Sequence, residues 1–201
     1  QVLFTIPTPC VARLLSPMMP DYAEQLAQIK YFGAICTVLE LARPLSSIYW
    51  LNVTDEGFPF GGIIEHTNLV PTSEYDGVHI AYLSRYFSPH DPVASAPEAE
   101  IQAIMLRDLQ RIFPGLSNLV RRVHVFRTPT AAIVCDQDFS QKVPRCRTPV
   151  KNLFLANMTH VYPDERSCNN SIRVAAEACR VMGIDTTVVP IDIQGVNAPY
   201  T

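Results

Sequence analysis

The stretch from Asn152 to Ala178 starts as an apolar run, Asn152-Leu-Phe-Leu-Ala, crosses a polar loop and enters an alanine-rich helical pattern. A helix start presents unpaired backbone N–H groups and a partial positive charge, which suit an anionic or carbonyl-bearing ligand. Asn169, Asn170 and Ser171 add short polar side chains in that first turn. The same residue types serve equally to cap a surface helix, and spacing alone leaves both readings open.

Other candidates fall on strands and loops. In the run Ile63 to Val70, read as a strand, alternation puts His66 and Asn68 on one face and Glu65 on the other. That pair could meet a ligand, or His66 could be a hydrogen-bonded structural residue. Tyr82, Ser84 and Tyr86 share a face of the next strand, where they line a pocket or simply pack across strands. His160, beside Tyr162, is a ligand-facing or a solvated loop residue, and Asp164-Glu165-Arg166 is a charge cluster near a helix start. No Ser/His/Asp or Cys/His spacing points to a nucleophile. The cysteines at 10, 36, 135, 146, 168 and 179 form no Cys-x-x-Cys pair and have no histidine at zinc-site spacing, so no metal is expected. Cys36 and Cys179 lie in apolar periodic segments where reduced thiols are common, which favours a reduced, cytoplasmic chain.

The elements that must position these residues follow from periodicity. Val2 to Ile6 is a short buried-type strand stopped by Pro7 and Pro9, and residues 21–30 suit a helix with Asp21 as cap. Four strand-like runs follow, at 33–42, 48–53, 63–70 and 78–86, with short connections that imply a largely antiparallel sheet. Ile101, Ile104, Met105, Leu109 and Ile112 recur at helical spacing behind Pro97 and an acidic first turn, and Pro114-Gly115 ends that helix. Residues 122–127 alternate as a strand, and 152–156 form a short buried strand. Residues 167–182 form a second helix, with Ile172, Ala175, Ala176, Cys179 and Met182 on its expected buried face and Gly183 closing it. Residues 184–201 carry no durable pattern. The fold class expected is α+β, a mixed and largely antiparallel sheet with flanking helices.

Composition narrows the function classes. The 201 residues are 48% apolar and 17% charged, enough for a real core and too apolar for a disordered tail. A net charge of -3 speaks against a nucleic-acid partner, and no run approaches the length of a transmembrane segment. Gln1-Val-Leu-Phe-Thr-Ile-Pro has no basic leader and reads as a strand entered in mid-protein.

The segment Asn152-Leu-Phe-Leu-Ala-Asn, the following Tyr162-Pro163 and the helix running into alanines resemble the closing motif of FAD-dependent amine oxidases, phytoene desaturases and protoporphyrinogen-oxidase-like proteins. Asn157 stands where that pattern usually has glycine. Phe4-Thr-Ile-Pro-Thr-Pro resembles the family's last nucleotide-domain strand before its substrate domain. Ile63-Ile-Glu-His-Thr-Asn and His79-Ile-Ala-Tyr-Leu-Ser-Arg-Tyr resemble a branch linked to polysaccharide and lipid biosynthesis. The resemblance implies FAD as cofactor. Ala156, Asn157 and Met158 would lie near its pyrophosphate, and Ser167, Asn169, Asn170, Ser171 and Ile172 near the flavin ring. It also implies a small substrate, lipid or sugar-nucleotide related, met by His66, Asn68, Tyr82 and Tyr162. No Gly-x-Gly-x-x-Gly follows any strand, so the resemblance implies an FAD domain as a missing partner and a chain not catalytically competent by itself. The division expected is residues 1–16 as a remnant of the FAD domain, 17–145 as the substrate domain, 146–183 as the FAD-contacting strand–loop–helix and 184–201 as a tail. Two rivals remain at this stage, a flavin-dependent sugar-nucleotide mutase and a binding module that has lost its cofactor. Exposed strands would add a route to a homo-oligomer.

Overall fold

The computed structural model describes residues 1–185. In chain order its elements are β1 (Val2–Phe4), α1 (Thr8–Leu15), α2 (Pro20–Ala27), β2 (Tyr31–Leu41), β3 (Trp50–Asn52), β4 (Gly62–Glu65), β5 (His79–Phe87), α3 (Glu98–Ile112), β6 (Val120–Ile133), α4 (Phe139–Lys142), β7 (Leu153–Leu155) and α5 (Cys168–Met182). Short 3₁₀ turns join several of them. The class is α+β, as the sequence implies. The chain divides into two compact units, one made of residues 1–30 with the chain from Cys135 onward, the other of Tyr31–Val134. Residues 17–30 and 135–145, grouped with the sheet on sequence, thus sit in the flanking unit.

The second unit is a five-stranded antiparallel sheet in the order β3-β4-β5-β2-β6. Ile35, Leu39 and Leu41 of β2 alternate onto one face with Ala81, Leu83 and Phe87 of β5, and α3 lays Ile101, Met105 and Leu109 against them. The spacing of four along α3 puts those three side chains on one stripe. Each fully buried Leu or Met contributes roughly 1.5–3 kcal/mol. A Cβ on Gly33 would come within 2.2 Å of the Phe87 ring, so only glycine lets that ring close over β2. Two strands differ in extent from the sequence reading. β6 runs for 14 residues. β4 stops at Glu65, because His66–Asn68 turns into a 3₁₀ helix. His66 and Asn68 therefore do not share a strand face.

In the first unit, β1 and β7 pair in parallel, Val2 with Leu153 and Phe4 with Leu155. The two short apolar strands, far apart in sequence, are thus each other's partners. Val11, Ala12, Leu15, Ala23 and Leu26 pack on Leu153, Leu155 and Phe4. Val174 and Ala178 of α5 form a separate cluster with Ala156, Val161 and Leu3. Burial on both faces explains why β7 reads as an unbroken apolar run rather than an alternating one, whereas Val2 of β1 stays exposed. The second edge of β7 is held by the preceding segment, Leu155 N–H donating to Cys146 C=O at 2.8 Å. The segment after Pro7 forms helix α1, which the sequence reading did not include; α2 begins on Pro20, with Asp21 in its first turn instead of at the cap.

The buried stripe of α5 is corrected by the structure. Val174 and Ala178 face the strands, whereas Ile172, Ala175 and Ala176 are exposed. Two apolar stripes exist on this helix, and β1 and β7 cover only one of them. Gly183, at φ 74°, closes α5 in the left-handed region, the position where glycine costs least. The reading of 184–201 as a tail without a durable pattern lies outside the described residues from position 186 onward.

Candidate functional site

The turn between β7 and α5 is built around Asn157. Its φ of -147° is extended backbone open to any residue, so the fold does not need glycine here. Asn157 Oδ1 accepts from Thr159 N–H at 3.0 Å and caps the single turn Met158–Val161. Its Nδ2 donates to Ile6 C=O at 2.8 Å and Thr8 Oγ1 at 3.1 Å. Thr8 and Thr159, both buried, join their hydroxyls at 2.9 Å. The Asn157 side chain thus ties the end of β7 to the exit of β1. His160 Nδ1 accepts from Asn157 N–H at 3.2 Å. Burial lowers the His160 pKa, outweighing the backbone groups of Asn157 and Pro144, which favour the protonated ring.

The start of α5 is capped by Ser167, whose Oγ accepts from Asn170 N–H at 3.2 Å. Asn170 Nδ2 donates to Glu165 C=O at 2.7 Å, and Ser171 Oγ donates to Ser167 C=O at 2.9 Å. The capping reading of these residues therefore describes their side chains. The backbone N–H groups of Cys168 and Asn169 have no partner among the described residues, as expected of a first helical turn. Ala156, Asn157, Met158 and Ser171 come together around a small apolar cavity of about 230 Å³, which Leu3 and Val174 also line. Asn169 and Ile172 point to solvent outside it.

In the sheet unit, His66 Nε2 meets Tyr75 Oη at 2.6 Å, and its ring packs edge-on against Tyr75 and Tyr82. Burial raises the Tyr82 pKa, with Tyr75 adding to the shift. Asn68 does something else. Its Nδ2 donates to the carbonyls of Ser46 and Ile48, while the buried Glu65 carboxylate accepts from Leu45 N–H and the Ser46 hydroxyl. Both residues fasten the loop that leads into β3. Tyr162 belongs to the first unit, its ring edge-on to Phe139 at 5.1 Å. Sequence reasoning missed Tyr75, whose only signal was its place just before Asp76-Gly77. No cluster of three metal-ligating side chains occurs among the described residues.

No protein-family model matches the sequence, and no curated protein matches it. Solved structures do. One, provisionally described as a protoporphyrinogen oxidase from Exiguobacterium sp. 255-15, superposes with a TM-score of 0.60 at 16% identity over 90% of this chain. An oxidoreductase from Methanosarcina mazei gives 0.55 at 21% identity over 78%. Reduced UDP-galactopyranose mutase gives 0.55 at 12% identity over 70%. This chain spans 40%, 37% and 31% of those chains, less than half of each. At such identities the similarity establishes the fold alone, which resembles part of each of these three structures.

Proposed function

We propose that this chain supplies the substrate-side sheet and the closing strand–turn–helix of an FAD-dependent oxidoreductase of the amine-oxidase kind. The observation that carries the reading is the gathering of Ala156, Asn157, Met158 and Ser171 around one cavity, where β7 turns toward α5. The fold similarity to part of three flavoprotein-type structures supports it. The residues present fit one half of the cofactor. The first turn of α5, capped by Ser167, offers backbone N–H groups of the kind that suit a carbonyl-bearing ring, and Ser171 of the same helix lines the apolar cavity. For the ADP half the sequence holds no glycine fingerprint. When bound, the flavin would accept a hydride from the substrate. The chain's own residues would orient the ring and exclude water at α5, and on the sheet unit the His66–Tyr75 pair could hold a proton near Tyr82.

The missing fingerprint makes weak or absent FAD binding the expectation for this chain alone; a yellow preparation releasing stoichiometric flavin on denaturation is the contrary result. The reading itself is tested on this chain together with the FAD-binding domain that it proposes. Visible flavin absorption that bleaches with a reducing substrate supports it, and a folded protein that takes up no FAD overturns it. The third similarity favours a second reading, a mutase-like isomerase. Conversion of a sugar nucleotide without net electron transfer would identify that case. We read the chain as cytoplasmic. Freshly prepared, denatured protein should then titrate close to the six thiols of its sequence, and four or fewer would indicate bridges.

A further inference from the structure

One face of the five-stranded sheet packs on α3; the other carries exposed aromatic side chains. The register aligns Trp50, Ile64, Tyr82 and Val38 in one row of that second face, and Asn52, Gly62, Ser84 and Cys36 in the next. The first row is bulky and the second small, so a trough crosses the strands. At its β3–β4–β5 corner lies a cavity of about 510 Å³, lined by Trp50, Asn52, Asp55, Gly62, Ser84 and Tyr86 among others. Trp50 is 55% exposed and Tyr86 60%. The Trp50 ring is held in place, its Nε1–H donating to Asn52 Oδ1 at 2.8 Å. Gly62 keeps the floor open, since a Cβ there would come 3.0 Å from Ser84 Oγ.

The polar groups of this corner are of mixed type and unused. Asn52 Nδ2, the Asp55 carboxylate, Ser84 Oγ and Tyr86 Oη have no hydrogen-bond partner among the described residues. Arg85, the cation of the lining, is paired with Asp91 at 2.6 Å. We propose that this corner binds a neutral sugar ring. A pyranose presents an apolar C–H face that packs on an aromatic ring, and hydroxyls that each donate and accept. Two exposed rings, a carboxylate, an amide nitrogen and two hydroxyls match that pattern. A phosphate would meet Asp55 with no free cation to offset the repulsion. An ammonium would find Asp55 and the ring faces, yet the Asn52 amide donor would be left without an acceptor.

The assignment deepens the flavoprotein reading by naming a substrate class, and rests on it only in treating the bound sugar as substrate. Trp50 is the single tryptophan of the sequence, so its fluorescence reports on this corner directly. The full 201-residue chain is titrated with methyl β-D-glucopyranoside and methyl β-D-galactopyranoside, and separately with phenethylammonium chloride and inorganic phosphate. At least one glycoside should change Trp50 emission saturably and shield it from acrylamide. Asp55→Asn and Tyr86→Ala should each weaken that binding about 5-fold or more, with unchanged circular dichroism. No saturable response to either glycoside in folded protein, saturation by phenethylammonium or phosphate alone, or an affinity in both variants unchanged from that of the unsubstituted chain would each overturn the proposal. Flavin uptake by the chain together with the proposed FAD-binding domain is read separately from visible absorption. Sugar binding lost with flavin kept counts against the sugar assignment alone, and the reverse counts against the flavoprotein reading alone.

Discussion

The two units bury their apolar residues in different ways. In the sheet unit one continuous cluster, from Ile35 of β2 to Met105 of α3, closes the face of the sheet that α3 covers. In the other unit two smaller clusters lie around a parallel pair of three-residue strands. A long antiparallel strand such as β2 finds partners on both sides within about a hundred residues of chain, through short connections. Parallel strands need a crossover, and here the whole sheet unit is the crossover between β1 and β7. The sheet unit builds one core from its own strands and helix, whereas the core of the flanking unit is split in two.

This difference can be broken or sharpened by substitution. The largest effect is expected in the continuous core. Leu39→Ala or Leu83→Ala should each cost about 3 kcal/mol in denaturant unfolding, because α3 and the sheet cannot collapse into the space left. A cost near that of an exposed site would mean the cluster is loosely packed. Asn157→Ala comes next, at about 2 kcal/mol, since it removes a cap and two bonds to the exit of β1. Hydrogen exchange should then quicken at Phe4 and Ala156 and stay unchanged in β2.

His160 gives a smaller, pH-dependent effect. Its folded pKa lies below the ordinary value of 6.5, so the unfolded chain binds the proton more readily. The stabilisation is whole above pH 6.5 and is lost as pH falls through the folded value. His160→Gln should flatten that acid limb, and an unaltered limb would show that His160 is not its source. The smallest effect is expected for Ile172→Ala, within about 0.5 kcal/mol, because the side chain is already in water.

Much of the fold could be read from the sequence where the pattern has one meaning. The stripe Ile101, Met105, Leu109 could only be a helix packed on one side, and the alternation of β2 could only be a strand with one face in a core. The short strands β1 and β7 were also visible, as unbroken apolar runs. What misled was a residue with two compatible roles. α5 has two apolar stripes, and periodicity does not say which one meets β7. At His66 the strand pattern gave no sign that the chain turns after Glu65, because that turn is fixed by Asn68 reaching the carbonyls of Ser46 and Ile48, 22 and 20 positions away. The site was read in the same uneven way. Ala156, Asn157 and Met158 do gather with Ser171, whereas the bonds that hold Asn157 come from Ile6 and Thr8 at the far end of the chain.

The pairing of Val2 with Leu153 also sets an order of events during synthesis. At ribosomal speeds of roughly 5–20 residues per second, on the order of ten seconds separate the appearance of the two strands. Within that interval the sheet unit, whose partners are all made between Tyr31 and Val134, can complete itself. β1 meanwhile waits with its backbone donors and acceptors unpaired, a period in which another nascent strand can take its place. Asn157 arrives two residues after β7 and bonds Ile6 and Thr8, so the link that fastens the exit of β1 follows directly on the arrival of its partner strand.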